Sequence, residues 1–212
     1  MRPFHDRTTA GRILGDRLAE TGRYGPDDFV LGLPRGGVPV ASAVADRLGC
    51  NLDVFVVRKL GAPANPEYAI GAIASGGGRF IDQAAVEYLR LSPEVLDRIE
   101  ATERSELERR EKRYRHGRPP MDVRGRGVIL VDDGIATGAS MLVAIDVLTG
   151  MAPATLTVAV PVAPRDTVER IARLVDHVVV VGMPEPFHAV GLWYDDFTQT
   201  SDDDVARALA SR

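Results

Sequence analysis

Two adjacent acids, Asp132 and Asp133, are followed by seven residues, Gly134 to Ser140, that are small apart from Ile135. Neighbouring carboxylates repel unless hydroxyls or a cation compensate them, and a run of small residues leaves backbone N–H groups free to surround an anion. Two cationic clusters stand elsewhere, Arg35 with Gly36 and Gly37, and Arg58 with Lys59. Carboxylates for vicinal hydroxyls, an N–H nest for a terminal phosphate and cations for a diphosphate suit one ligand, a phosphorylated polyol carrying a diphosphate. Glu67, in a stretch rich in Gly, Pro and Asn, is a candidate general acid or base.

The elements that must position these groups follow from hydrophobic spacing. Val128 to Val131 is a continuous aliphatic run, the mark of a strand buried on both faces. Met141, Leu142, Ile145 and Leu148 then fall on one helix face, so the acids sit at a strand's carboxyl end and the small-residue loop opens a helix, where the dipole favours an anion. A second such unit runs from strand Phe29–Leu33 through the turn Pro34–Gly37 into a helix over Val38–Leu48. A third strand, Leu52–Val57, ends in Arg58 and Lys59 and gives way to a loop, Leu60–Glu67, expected to be mobile. Tyr68–Ala74 and Arg79–Ile81 read as a hairpin. An opening helix, Thr8–Glu20, takes Thr8 or Thr9 as its cap; after the central motif come strand Thr155–Val160, helix Asp166–Leu174 and strand Val178–Gly182.

This alternation predicts an α/β fold, a central parallel sheet flanked by helices, in one domain over 1–212. A helical insertion covers about 83–118, with Ser92 and Pro93 opening its second helix. Within it Glu106 with Arg110, Glu108 with Lys112 and Glu111 with Arg115 stand at i,i+4, the pattern of a solvated, ion-paired face. A small C-terminal hood covers about 184–200.

Composition narrows the classes. Basic residues number 26 against 30 acidic, and no global field invites nucleic acid or a membrane. The lone Cys50 permits no intramolecular disulfide and reads as a small core hydrophobe. MRPFHDRTTAGRIL lacks an apolar leader core, and no apolar run reaches about 18 residues, so the expectation is a cytoplasmic protein. The phosphate loop GxxxxGK followed by Ser or Thr, and the dinucleotide fingerprint GxGxxG, are both absent.

Taken whole, VILVDDGIATGAS resembles the phosphoribosyl-diphosphate signature of the type I phosphoribosyltransferases: four hydrophobic residues, two acids, and small residues ending in Thr-Gly-x-Ser or Thr. LPRGGVPVA is similar to that family's pyrophosphate loop, and VRKLGAPANPEY to the start of its flexible catalytic loop. The resemblance implies a Mg²⁺-dependent transferase of nucleotide metabolism. In it Asp132 and Asp133 hold the ribose hydroxyls, and Gly134, Ile135, Ala136, Thr137, Gly138, Ala139 and Ser140 hold the 5-phosphate. Arg35, Gly36 and Gly37 meet the pyrophosphate, joined by Arg58 and Lys59, and Mg²⁺ is held mainly by substrate oxygens and water rather than by a protein cage.

For the acceptor, PEPFHAVGLWYDD resembles the hood of hypoxanthine-guanine members, implying Phe187, Trp193 or Tyr194 for stacking a base and Asp195, or Asp196, for its N–H groups. His188 reads as a surface histidine. Those members usually carry an acid where Ala136 stands and a lysine after the next strand, where this chain has Val160 to Ala163; a 6-oxopurine acceptor is thereby put in question. The acceptor base and the oligomeric state stay open, a homodimer included. A non-catalytic sensor of the sugar diphosphate or of a nucleotide is the competing reading, carried by the basic helix over 101–118.

Overall fold

A computed structural model describes residues 4–63 and 65–210, except the side chain of Glu67. Helix α1, Arg7–Ala19, is capped by Asp6, whose carboxylate accepts from the Thr9 N–H at 2.6 Å; the expected Thr8 or Thr9 cap is corrected, because Asp6 has the extended backbone of a cap and Thr9 already lies in the helix. Gly11 and Gly15 let α1 lie close on helix α2, Gly37–Leu48: a Cβ on Gly11 would stand 2.6 Å from the Val40 carbonyl.

The central sheet contains β1 (Phe29–Gly32), β2 (Asn51–Val54), β6 (Gly127–Val131), β7 (Thr155–Val162) and β8 (His177–Gly182). Its order is β2-β1-β6-β7-β8, with every pairing parallel. Alternate side chains serve opposite faces, as the period of two requires. Val30, Ile129 and Val131 join Leu14, Val40 and Val44 on one side, and Leu31, Leu130 and Val158 join Met141, Ile145 and Leu148 on the other. Helices α5, Ala139–Gly150, and α6, Arg165–Ile171, bring apolar residues to the second side.

The chain leaves β1 for β2 on one flank and returns to β6 on the other, so strand order reverses between β1 and β6. In open α/β sheets this switch is where ligands bind. Register Gly32↔Val131 and the Leu33 N–H donating to the Val131 carbonyl at 2.9 Å bring the two carboxyl ends level.

A second, antiparallel sheet has the order β3-β4-β5: β3 Val57–Ala62, β4 Asn65–Ala74 and β5 Arg79–Ile81. The expected hairpin of 68–81 is present as β4 and β5, but the segment read as a mobile loop, 60–67, is largely strand. Pairing of Lys59 with Ala72 and of Leu60 with Gly71 captures the Gly-, Pro- and Asn-rich stretch, and the register shifts at Gly61, where a Cβ would stand 2.4 Å from the Pro66 carbonyl. Arg58 and Lys59 are therefore strand residues and do not lie in a loop after β2.

The insertion consists of α3, Gln83–Tyr88, and α4, Pro93–Arg115. Glu106–Arg110 and Glu111–Arg115 pair as the spacing predicts. Arg115 is buried, with its guanidinium on Asp53 at 2.8 Å and on the Val54 carbonyl at 2.7 Å, so α4 is bolted to β2. A final helix, α7, Asp202–Ala210, was not anticipated; Val205, Ala206 and Leu209 are its buried face.

Candidate active site at the sheet switch point

β6 delivers Asp132 and Asp133 to the switch point, and the turn after β1 lies directly against them. A Cβ on Gly36 would stand 2.1 Å from Asp133 Oδ2, and one on Gly37 would stand 2.8 Å from Asp132 Cα. Only glycine lets the Pro34–Gly37 turn approach the acids this closely. The Asp133 N–H donates to Asp132 Oδ1 at 2.9 Å. Burial pushes the Asp132 carboxyl well up, with the Asp133 charge adding to it. Asp133 is also raised by burial, but less, because the Arg7 guanidinium opposes the rise.

Arg7 is a site residue that sequence reasoning missed. Its Nε lies 2.7 Å from Asp133 Oδ2, and both side chains are nearly buried, 11% and 15% exposed. An arginine in the first turn of an amphipathic helix carries no signal of this, since its partner lies 126 positions away. The Tyr194 hydroxyl donates to the Asp133 carbonyl at 2.5 Å.

The loop from Gly134 to Ser140 is held from behind. The Thr167 hydroxyl donates to the Ala136 carbonyl at 3.1 Å, Arg170 donates to the Thr137 carbonyl, and the Ile135 N–H donates to the Val162 carbonyl at 2.9 Å. Among the described residues none accepts from the amides of Ala136, Thr137 or Gly138. A cavity of about 140 Å³ opens along 134–141 with Asp132 at its edge. Gly138, at φ +78°, turns the chain into α5, so the loop is both a nest and a helix N-terminus.

The two basic neighbours both border a cavity beside Glu103 of α4 but differ in their other contacts. In β3 successive side chains face opposite ways, and Lys59 lines a cleft of about 140 Å³ with Leu33, Asp132, Ser140 and Arg110. Arg58 is tied to α4 instead, its Nη2 2.5 Å from Glu103 Oε2. Arg110, from the insertion, is a second residue that sequence reasoning missed; its i,i+4 partner Glu106 was recognised, but not its place in the cleft. Arg35 is exposed and 3.9 Å from Asp202 of α7. The Glu67 side chain lies outside the described residues.

In the hood, Val190–Trp193 forms a short 3₁₀ turn. Tyr194 does not present a free face for stacking: it is 6% exposed, with Phe4 and Phe197 rings 5.5 and 5.0 Å from its own. Burial raises its hydroxyl far above the usual phenol range. Phe187 and Trp193 are partly buried against the cluster formed by Phe4, Ala10, Val162 and Tyr194, and the Trp193 indole N–H is buried without a partner among the described residues. Asp195, Asp196 and His188 are exposed.

Residues 9–188 match the phosphoribosyl transferase domain family. The chain belongs to that family. A Mycobacterium tuberculosis (strain H37Rv) protein named "Putative phosphoribosyl transferase Rv0571c" is 46% identical over 209 residues, which are 99% of this chain and 47% of the relative. This phosphoribosyltransferase-family chain thus spans about half the length of that relative. The crystal structure of TT1426 from Thermus thermophilus is 46% identical, with a TM-score of 0.87 and coverage of 100% of this chain and 99% of that one. The AQ2163 protein of Aquifex aeolicus shares the fold at 10% identity, with a TM-score of 0.51 over 87% of this chain and 78% of its own. No helix among the described residues is long and apolar enough to cross a membrane, and none of their His, Cys, Asp and Glu side chains gather in threes as a metal site.

Proposed function

We propose that the chain binds phosphoribosyl diphosphate across the β1–β6 switch point, transfers its 5-phosphoribosyl group to a nitrogenous heterocycle and releases pyrophosphate. The observation that carries this is the meeting of three unlike surfaces at adjacent strand ends: a partly buried acid pair, a glycine turn packed on it, and an amide nest beside it. An anion alone would not need Asp132 and Asp133, and a polyol alone would not need the nest.

Asp132 and Asp133 would accept from the ribose hydroxyls. Amides of 134–140, with Thr137 and Ser140, would hold the 5-phosphate. The turn Arg35–Gly37 and Lys59 would meet the diphosphate, with Arg110 beside Lys59; the Arg58–Glu103 pair argues for Lys59 as the cleft's cation. As the C1–diphosphate bond breaks, charge moves onto the leaving group, and fixed cations lower the barrier because they bind that charge more tightly than the ground state.

Magnesium suits this donor set, because Mg²⁺ keeps several waters and takes one or two carboxylates beside ligand phosphates. Asp132 and Asp133 are the carboxylates available to it, and it would supply neutralisation of the diphosphate charge. For the acceptor, Phe187, Trp193 and Asp195 are the hood residues of choice, whereas Tyr194 serves as a support. Ala136 has no group to exchange a proton, so the base must be deprotonated by another residue or arrive deprotonated.

The test incubates a panel of nitrogenous bases with phosphoribosyl diphosphate and Mg²⁺ and reads pyrophosphate release. Release with one chemical class of base is expected. Tight binding of the sugar diphosphate with no release for any base would refute transfer in favour of a sensor.

A further inference from the structure

We propose that Arg7 is the positioning residue of the acid pair: pinned by Thr198 and Phe197, it fixes the Asp133 carboxylate at the place where a ribose hydroxyl must meet it. This rests on reading the pair as the ribose site.

Arg7 is gripped at several points. Its Nε donates to Asp133 Oδ2 at 2.7 Å, and its Nη1 donates to the Thr198 carbonyl at 2.8 Å. The guanidinium carbon lies 3.9 Å from the centre of the Phe197 ring and 5.9 Å from that of Tyr194. Nε would also stand only 3.2 Å from a Cβ on Gly36, so the guanidinium sits where the glycine turn and the acid meet. The planar fork and the stack restrict the side chain on three sides, which a lysine cannot reproduce. Tyr194, packed on Phe197, holds the Asp133 backbone from the same side.

A buried ion pair by itself adds little to stability after desolvation. What this one does is divide the pair: Asp133 is hydrogen-bonded to the guanidinium, whereas Asp132 accepts the Asp133 N–H and feels Arg7 only through space. The titratable groups facing Asp133 are Asp132 beside it, Arg7 from α1 and the Tyr194 hydroxyl from the hood. Asp196 lies further out, held below the usual carboxylate range chiefly by Thr198 and more weakly by His5 and Arg7.

The experiment measures by calorimetry the affinity of the full chain for phosphoribosyl diphosphate and for an analogue lacking the ribose hydroxyls. Arg7→Gln is expected to lower affinity for phosphoribosyl diphosphate by about tenfold or more, the order of one charge-assisted hydrogen bond, and to leave the hydroxyl-free analogue unchanged. Arg7→Lys keeps the charge but not the planar fork and is expected to bind phosphoribosyl diphosphate more weakly than the unsubstituted chain. A folded Arg7→Gln protein with unchanged affinity overturns the proposal, as does one that loses both ligands equally. Should Arg7→Gln fail to fold, the ¹⁵Nε resonance of Arg7 in the unsubstituted chain must move on addition of phosphoribosyl diphosphate more than with the analogue; one that moves with neither overturns the proposal. An unsubstituted chain that binds both ligands equally refutes the ribose reading itself, a result distinct from any effect of Arg7.

Discussion

Replacing Lys59 and Arg58 one at a time separates two cations that border one cavity beside Glu103 but differ in their other contacts. Lys59 shares its cleft with Asp132 and Ser140, whereas Arg58 reaches Glu103 at 2.5 Å. A unit charge about 4 Å from a diphosphate oxygen, at an effective dielectric near 20, interacts by about 4 kcal/mol. Removing one preorganised contact to developing charge typically costs about 10²–10³-fold in kcat. Lys59→Ala is therefore expected to lower kcat/KM for pyrophosphate release by about 10²-fold or more. It should leave the thermal midpoint nearly unchanged, since the side chain is exposed. Arg58→Ala breaks a pair whose side chains are 28% and 24% exposed, worth about 1 kcal/mol, and should lower Tm by about 2–4 °C with little effect on turnover. Steady-state pyrophosphate assays with a melting curve on each variant decide the matter. Arg58→Ala losing as much turnover as Lys59→Ala would refute the strand-alternation reasoning and return Arg58 to the site.

Three further outcomes follow from the geometry. Asp132 has a folded-state pKa raised above its ordinary 3.8, so the folded chain binds more protons and stability falls as pH rises from about 4 through that value. Asp132→Asn should raise the Tm of the free protein at neutral pH and flatten its pH dependence while abolishing sugar-diphosphate binding; a lower Tm at neutral pH would contradict the burial argument. Arg115→Ala leaves Asp53 buried without its cation and should destabilise the chain by about 3–5 kcal/mol in denaturant melts; a loss below about 1 kcal/mol would mean that α4 is not bolted through this pair. Gly36→Ala places a methyl 2.1 Å from Asp133 Oδ2 and should weaken phosphoribosyl diphosphate by about tenfold or more in calorimetry, at a folding cost of about 1–3 kcal/mol; unchanged affinity would mean that the turn and the acids do not act together.

How far the sequence revealed this depended on whether the signal was local. Val128 to Ser140 was legible because a buried strand, its acidic end and a small-residue loop write themselves as consecutive residues, and β6, the nest and α5 lie where the run placed them. Leu60 to Glu67 misled because glycine, proline and asparagine speak for a loop locally, while pairing with β4 is a tertiary decision. That pairing also gave Arg58 and Lys59 alternate positions in one strand, so that Lys59 borders the Asp132 cleft while Arg58 pairs with Glu103. In α7 the pattern was present, acids in the first turn ahead of Val205, Ala206 and Leu209, and was passed over. Arg7 and Arg110 gave no signal, since the significance of each lies in an element it meets only after folding.

The contacts of Phe4 and Arg7 with 193–198 also tie the acid pair to segments far from it in sequence. The Phe4 N–H pairs with the Trp193 carbonyl at 2.7 Å, and Arg7 reaches Thr198 across a separation of 191 positions. Closing so long a loop costs more entropy than any single turn or hairpin, though the cost grows only with the logarithm of length. The β1–β6 seam spans about half that separation, so on this logarithmic scale the two closures differ by only about 0.6 kcal/mol. What the long separation does set is vulnerability: the acid pair's counter-charge and the Tyr194 hydroxyl come from segments near opposite ends of the described residues, and a change that loosens either segment reaches the carboxylates without touching the strand that carries them.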